Sequence, residues 1–206
     1  MYLELDMDHK VTTREKILHA TLELIDNEGL ENVTIRKITL AADVNIAAVN
    51  YYFGSKENVI NEALKELMCK LSRTFDQLED DTLPAEERLR SFLRSYADAT
   101  LAYPDVFKNF IKQVITHYND HQAHVNYIEF MQTTGWQKLR GFLRESRLLP
   151  DDERLFMKIV QLFSALEFPL LLGVQTHSVH EFDYYDKNYR YQYVELLMQS
   201  LLHQQQ

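Results

Sequence analysis

Three histidines, His117, His121 and His124, stand at i, i+4 and i+7 with Asp120 among them, and His177 and His180 follow. On one unbroken helix that spacing sets three imidazoles on one face, a set that suits zinc or another transition metal. Asn119-Asp120 reads as a helix junction, however, and a solvated polar turn is the better reading, so no metal is expected. The one cysteine, Cys69, has no second thiol, which excludes an internal disulfide, leaves a redox switch without a resolving partner and fits a reducing compartment. The sequence carries no Gly-rich phosphate loop, no nucleophile elbow and no Glu-x-x-His pair of the di-iron bundles. No cofactor is expected, and an unrelated helical-bundle enzyme is the weakest alternative. The remaining chemistry is recognition: the stretch from Thr34 to Lys56 mixes hydroxyls, carboxamides, small side chains, tyrosines and cations in close order.

The elements that hold this stretch follow from composition. The 206 residues are 46% hydrophobic and 26% charged, with 5 glycines and 4 prolines. So few turn residues argue against a β-rich fold, and the Leu, Glu, Ala, Gln and Lys that fill the chain are helix formers. The expected class is all-α. Net charge is −9, and the first sixty residues do not reverse it, with six Lys/Arg against ten Asp/Glu. Any nucleic-acid contact must then be made by a few placed cations and helix N-termini, with weak non-specific binding. The opening MYLELDMDHK is acidic and is not read as a signal peptide. The most apolar run, Leu162 to Val174, is read as too short for a bilayer and carries Glu167 and Pro169. A cytoplasmic location and no membrane partner are expected.

Thr12-Thr13-Arg14-Glu15 reads as a capping box, followed by an apolar stripe at Ile17, Ala20, Thr21, Leu24 and Ile25. Gly29 supplies a left-handed stop. Thr34 caps a second, short helix with Ile35, Ile38 and Ala41-Ala42. Asp43-Val44-Asn45 breaks it, and Asn45 caps a third over Ile46 to Tyr52. Gly54-Ser55 makes another break before a fourth helix carrying Val59, Ile60, Ala63, Leu64, Leu67, Leu71 and Phe75. Leu78 to Pro84 reads as a loop. Leu89, Phe92, Leu93, Tyr96, Ala97, Thr100 and Leu101 predict the next helix, and Pro104 starts another with Phe107, Phe110 and Ile111 inward. Further helices are expected over His121–Arg147, Asp152 to about Thr176 with an interruption at Pro169, and Tyr185–Leu202.

Three helices and a longer fourth, with a short turn between the second and third, make the helix-turn-helix arrangement. In it the second helix crosses the DNA backbone and the third enters the major groove. The run Thr34-Ile35-Arg36-Lys37-Ile38, followed by Ala42-Asp43-Val44-Asn45-Ile46-Ala47-Ala48-Val49-Asn50-Tyr51-Tyr52-Phe53-Gly54-Ser55-Lys56-Glu57, resembles the DNA-binding domain of the TetR family of bacterial repressors over about Thr12 to Leu67. The resemblance implies that Thr34 and Lys56 contact phosphates and that Tyr51 reaches the DNA backbone. It further implies that Asn45, Ile46, Ala47, Ala48 and Asn50 face the groove with Arg36 in the same DNA-facing set, while Val49 and Phe53 are core. Three positions depart from the commoner pattern: Thr39 for alanine, Asp43 for the turn glycine, and Ile46-Ala47-Ala48 without a cation. The last points to readout through thymine methyls and DNA shape.

The expected organisation is a helix-turn-helix domain over residues 10–57, a connecting fourth helix over about 55–78, and a helical effector-binding and dimerisation domain over 79–206. Beyond the first third, the resemblance lies only in helix number and length. Tyr96, Tyr103, Phe107, Phe110, His117, Tyr118, Trp136, Gln137 and Arg140 are the expected lining of a small-molecule site, though most of these rings would equally serve as plain core. The last two helices are too apolar for one small chain to cover. Leu155, Ile159, Leu162, Phe163, Leu166, Val194, Leu197 and Leu201 are the expected contacts with a second copy, their own subunit's core being the alternative. Reading a two-fold operator needs two recognition helices about one DNA turn, ~34 Å, apart, so a homodimer is expected. The function implied is a repressor released from operator DNA by a small ligand that tilts the fourth helix. A DNA-binding dimer controlled by a protein partner is the alternative.

Overall fold

Helices begin where capping chemistry is available. In the computed structural model, which describes residues 11–116, 129–149, 154–172 and 183–202, every regular element among the described residues is helical. The chain divides into two compact units, Met1–Leu64 and Lys65–Gln206.

In the first unit, the Thr12 hydroxyl accepts from the Glu15 amide at 3.2 Å, and the Glu15 carboxylate accepts from the Thr12 amide at 2.8 Å. This reciprocal box starts α1, Thr13–Glu28. Its buried face is Ile17, Leu18, Ala20, Thr21, Leu22 and Ile25, wider than the predicted stripe and without Leu24. Gly29 ends it at φ 86°, ψ 153°. That is an extended, glycine-only conformation rather than the left-handed helical one, and a Cβ there would stand 2.8 Å from Glu31 Oε1. Then come α2, Ile35–Ala42, α3, Ile46–Phe53, and α4, Lys56–Thr74. Ile38, Val49, Val59 and Ala63 are wholly buried and close the core over α1.

The second unit begins within α4. Beyond Thr74 the chain tightens into a 3-10 turn, Phe75–Glu79, which buries Phe75 and Leu78, so the predicted loop starts two residues later than expected. Helix α5, Ala85–Leu101, buries the predicted stripe except Leu101, which is half exposed. After α6, Pro104–Thr116, a π-helical turn, Met131–Gly135, leads into α7, Trp136–Ser146. Gly135 is required there by close approach, since a Cβ would lie 3.1 Å from Phe75 Cζ. The Phe75 ring is the hub of an aromatic cluster, with centroids 4.7 Å from Phe92, 5.7 Å from Phe130 and 6.2 Å from Tyr96.

Helix α8, Arg154–Leu172, runs through Pro169 without the expected interruption. Proline removes the amide that would bond the carbonyl four residues earlier. That carbonyl belongs to Ala165, and the Tyr193 hydroxyl donates to it at 3.0 Å; the Tyr184 hydroxyl serves Leu166 O at 3.1 Å. Helix α8 has 19 residues and a mean hydropathy of 1.7 in its most apolar window, long and apolar enough to cross a membrane by length and composition. Its Leu155, Ile159, Leu162, Leu166 and Leu170 face is packed inside the protein. The last helix, α9, Lys187–Leu202, is joined to α5 by polar contacts. Arg190, almost wholly buried, donates through Nε and Nη2 to Asp98 Oδ1 at 2.8 and 2.5 Å, and Tyr191 donates to Asp98 Oδ2 at 2.7 Å.

Candidate nucleic-acid interface

Each helix of the N-terminal motif is started by a side chain that also stands at the surface. The Thr34 hydroxyl accepts from the Lys37 amide at 3.2 Å, which leaves its own proton to give. Asn45 Oδ1 accepts from the Ala48 amide at 2.8 Å and keeps its NH2 group, so this residue both caps α3 and stands at its exposed start. Ser55 Oγ accepts from the Asn58 amide at 3.2 Å.

The turn between α2 and α3 is a Schellman stop. The Val44 amide bonds Thr39 O at 3.0 Å and the Asp43 amide bonds Leu40 O at 3.4 Å, with Asp43 left-handed at φ 52°, ψ 51°. Aspartate tolerates this conformation better than most residues. Thr39, at the α2–α3 contact, is buried and sends its hydroxyl to Arg36 O at 2.9 Å, so both departures from the commoner pattern are accommodated without loss of the turn.

Helix α3 then divides by face. Val49 and Phe53 are buried, as the sequence implied, while Asn45, Ile46, Ala47 and Asn50 are exposed and Ala48 is half-buried. Tyr51 is 84% exposed, a large amphipathic ring left outside a core that has room for its neighbour Phe53. Arg36 is exposed and Lys56 half-buried, and neither makes an ion pair among the described residues. Lys37 is engaged, with Nζ 2.5 Å from Glu28 Oε2 and 3.0 Å from Asn32 O. Three contributors were missed. Leu40, on the motif's second helix, is 83% exposed. Asn58 Nδ2 holds Phe53 O at 2.9 Å, fixing the end of α3. Arg14 bonds Glu62 at 2.8 Å and lies 5.6 Å over the Phe53 ring, tying α1 to α3 and α4. An Asn three residues after a Ser cap was legible in the sequence; the pairing of Arg14 over 48 residues was not.

The expected ligand lining divides by burial among the described residues. Tyr96, Tyr103, Phe107 and Phe110 are core, Trp136 is half-buried, and Gln137 and Arg140 are exposed. These rings are consumed by packing: Tyr96 sends its hydroxyl to Glu167 Oε1 at 2.7 Å, and Phe107 and Phe110 meet edge to face at 5.6 Å. His117 and Tyr118 lie outside the described residues, as do His121, His124, His177 and His180. Among the residues named for a second copy, Leu155, Ile159, Leu162, Phe163, Leu166, Val194 and Leu201 are buried within their own subunit, and Leu197 is half-buried. The periodicity found the inward stripe of α8 and α9, and the subunit's own core fills it. The apolar side chains left outside are Phe156, Met157, Val160, Phe168, Leu171 and Leu172 on α8 and Leu196 on α9.

Residues 17–63 match the family model described as bacterial regulatory proteins, TetR family. The chain is 28% identical over 99 residues to the HTH-type transcriptional regulator BetI 1 of Chromohalobacter salexigens, covering 48% of each. It is 28% identical over 93 residues to the transcriptional repressor NicS of Pseudomonas putida, covering 45% of this chain and 44% of that one. The matched stretch spans about half or less of these curated relatives' own length. Its fold is that of the TetR-family regulator PfmR of Thermus thermophilus, with a TM-score of 0.66 at 18% identity over 93% of this chain and 96% of that one. These similar proteins are transcriptional regulators, and residues 17–63 of this chain carry the match to the TetR-family helix-turn-helix within a fold that is all-helical among the described residues.

Proposed function

We propose that this chain is a sequence-specific, DNA-binding transcriptional regulator that acts in the cytoplasm as a homodimer, most simply as a repressor released from its operator by a small molecule. The observation that carries this reading is the division of α3: Asn45, Ile46, Ala47, Asn50 and Tyr51 stand out of a helix whose Val49 and Phe53 anchor it. A major groove admits one such helix, and carboxamides, methyl groups and a tyrosine hydroxyl suit adenine edges, thymine methyls and phosphate respectively. Thr34 and Lys56 stand at the starts of α2 and α4, where free amides and the helix dipole favour a phosphate, and Arg36 adds a cation nearby.

The pairing of two copies is supported by the outer stripe of α8. Phe156, Met157 and Phe168, between 46% and 63% exposed, are apolar surface that a single copy leaves in water. Control by a ligand held in the second unit is supported by the continuity of α4, one helix that runs across the boundary between the units.

The test is a binding selection from random duplexes at moderate salt, with the Asn50→Ala/Tyr51→Ala variant in parallel. A two-fold-symmetric sequence enriched by the parent protein and lost in the variant is the expected result. Enrichment of no sequence by a folded dimer would reduce the motif to a packing unit and overturn the reading.

A further inference from the structure

The second unit contains a cavity of about 480 Å³ beside its aromatic cluster, within the size range of small-molecule sites. Phe75 and Leu78 of the 3-10 turn and Phe142 of α7 give it apolar walls, and Arg88 of α5 is its most enclosed charged group. The Arg88 side chain is 18% exposed, its guanidinium lies 5.2 Å over the Phe142 ring, and its Nη1 is used by Asp81 Oδ1 at 2.9 Å and Leu78 O at 3.2 Å. Its Nε is buried and has no hydrogen-bond partner among the described residues. Unlike Arg94 Nε, likewise buried and unpaired among the described residues, it lies in the lining of this cavity, and Nε with the neighbouring Nη2 is the edge of a guanidinium that a carboxylate takes with two bonds.

Gly141 gives an independent indication. It lies inside α7 and lines the cavity, yet a Cβ built on it meets nothing within 4 Å. Neither packing nor backbone conformation asks for glycine there, while helix stability asks for almost anything else. The vacant volume is accounted for by a body that sits against α7. The lining also carries Glu79, Asp81, Lys138 and Glu145. Glu79 and Asp81, 66% and 93% exposed, are matched to Lys138 and to Arg88, and Glu145 is exposed. The carboxylates therefore lie in solvent at the rim, where their charge is screened, and the enclosed group is the donor. Together the lining charges disfavour a multiply charged anion.

Taking the second unit as the sensing half of the regulator proposed above, we propose that this cavity binds a small monocarboxylate with a compact apolar body, its carboxylate on the free edge of Arg88 and its body between Phe75, Phe142 and Gly141. Phenylacetate, phenethyl alcohol and phenethylamine are suitable probes, matched in body and differing in head group. Titrated into the full-length protein by calorimetry and followed by thermal shift, phenylacetate binds and raises the melting temperature, and the alcohol binds at least tenfold more weakly. Arg88→Gln loses the preference for the carboxylate, and Gly141→Leu, which adds bulk where a Cβ meets nothing within 4 Å, loses binding of all three. Preference for the amine would assign the site to Glu145 and overturn the inference. Failure of all three probes to bind, or binding unchanged in Gly141→Leu, would overturn it as well. Binding is read without DNA, so failure here leaves the operator reading standing, and failure of the operator selection leaves the cavity standing.

Discussion

The Tyr193 hydroxyl sits 3.0 Å from the carbonyl of Ala165, the one acceptor in α8 that Pro169 deprives of its helical donor. A helix normally ends or kinks at an internal proline because an amide is lost and the ring crowds the carbonyl four residues back. Here a side chain from α9 replaces the lost donor, and Tyr184 supplies a second hydroxyl one residue further along, at Leu166 O. Helix continuity and the α8–α9 packing are one arrangement.

That coupling is measurable by a double-mutant cycle. Tyr193→Phe in the parent chain leaves the Ala165 carbonyl without a partner and is expected to cost about 1–3 kcal/mol in urea unfolding. In a Pro169→Ala background the new amide takes the carbonyl, and the same Tyr193→Phe change should cost well under about 1 kcal/mol. Equal costs in the two backgrounds would show that the hydroxyl does not substitute for the missing amide.

The fate of Pro169 also marks where the sequence stops being informative. Caps are local: Thr12 with Glu15, Thr34 with Lys37 and Asn45 with Ala48 all act within three residues, and all are where the side-chain types place them. The helix-turn-helix is made of such local events, so its caps and the turn at Asp43 were readable almost residue by residue. The rescue of Pro169 comes from a residue 28 positions away from the carbonyl it serves, beyond any periodicity argument. The same limit explains the stripes on α8 and α9. Spacing at i, i+3 and i+4 shows that Leu155, Ile159 and Leu162 share a face, but not whether that face meets its own α5 or another chain. Tyr96 and Phe107 were ambiguous for a related reason, since a ring on the inward face serves equally as core or as cavity wall until the opposing helix is placed.

Arg190 and Asp98 pin α9 to α5 at a point where little water reaches the guanidinium. Besides its two bonds to Asp98, Arg190 donates through Nη1 to Tyr184 O at 2.9 Å and Tyr185 O at 3.1 Å, holding the start of α9. Asp98→Ala leaves an enclosed cation with half its partners and frees the Tyr191 hydroxyl. Breaking a fully buried pair costs roughly 3–5 kcal/mol. Asp98 is 34% exposed, so a loss of about 2–3 kcal/mol is expected after screening. A loss below about 0.5 kcal/mol in chemical denaturation would place this contact with ordinary surface ion pairs.

The tyrosines around this seam predict an alkaline transition. Burial raises the pKa of Tyr184, Tyr191 and Tyr193, with the Asp98 carboxylate adding to the rise at Tyr191. A phenol whose folded pKa exceeds its unfolded value contributes stability that is complete below the unfolded pKa of about 10 and is lost as pH climbs toward the folded value. Urea midpoints should hold steady up to about pH 9.5 and fall above it. A Tyr184→Phe/Tyr193→Phe variant, less stable at neutral pH, should show a shallower alkaline decline. An identical slope in parent and variant would assign the decline to other groups.

Lys56 offers the sharpest test of how the protein holds DNA, because its charge and its place in the fold can be separated. It stands at the first position of α4, half-buried and with no ion pair among the described residues. Lys56→Gln keeps most of the stem, so unfolding free energy should change by no more than about 0.5 kcal/mol. If its ammonium neutralises a phosphate, each copy releases close to one counterion on binding. The slope of log affinity against log salt should then become shallower by about 0.9 per subunit, or roughly 2 for a dimer on a two-fold site. Affinity should fall by a similar factor for all sequences, since a phosphate contact positions the protein and reads no base. Asn50→Ala should act in the opposite way, leaving the salt slope intact while relaxing the choice of base at one position of each half-site. A Lys56→Gln variant with an unchanged salt slope would remove this residue from the DNA contact and leave Arg36, the exposed cation of α2 without an ion pair among the described residues, to examine in its place.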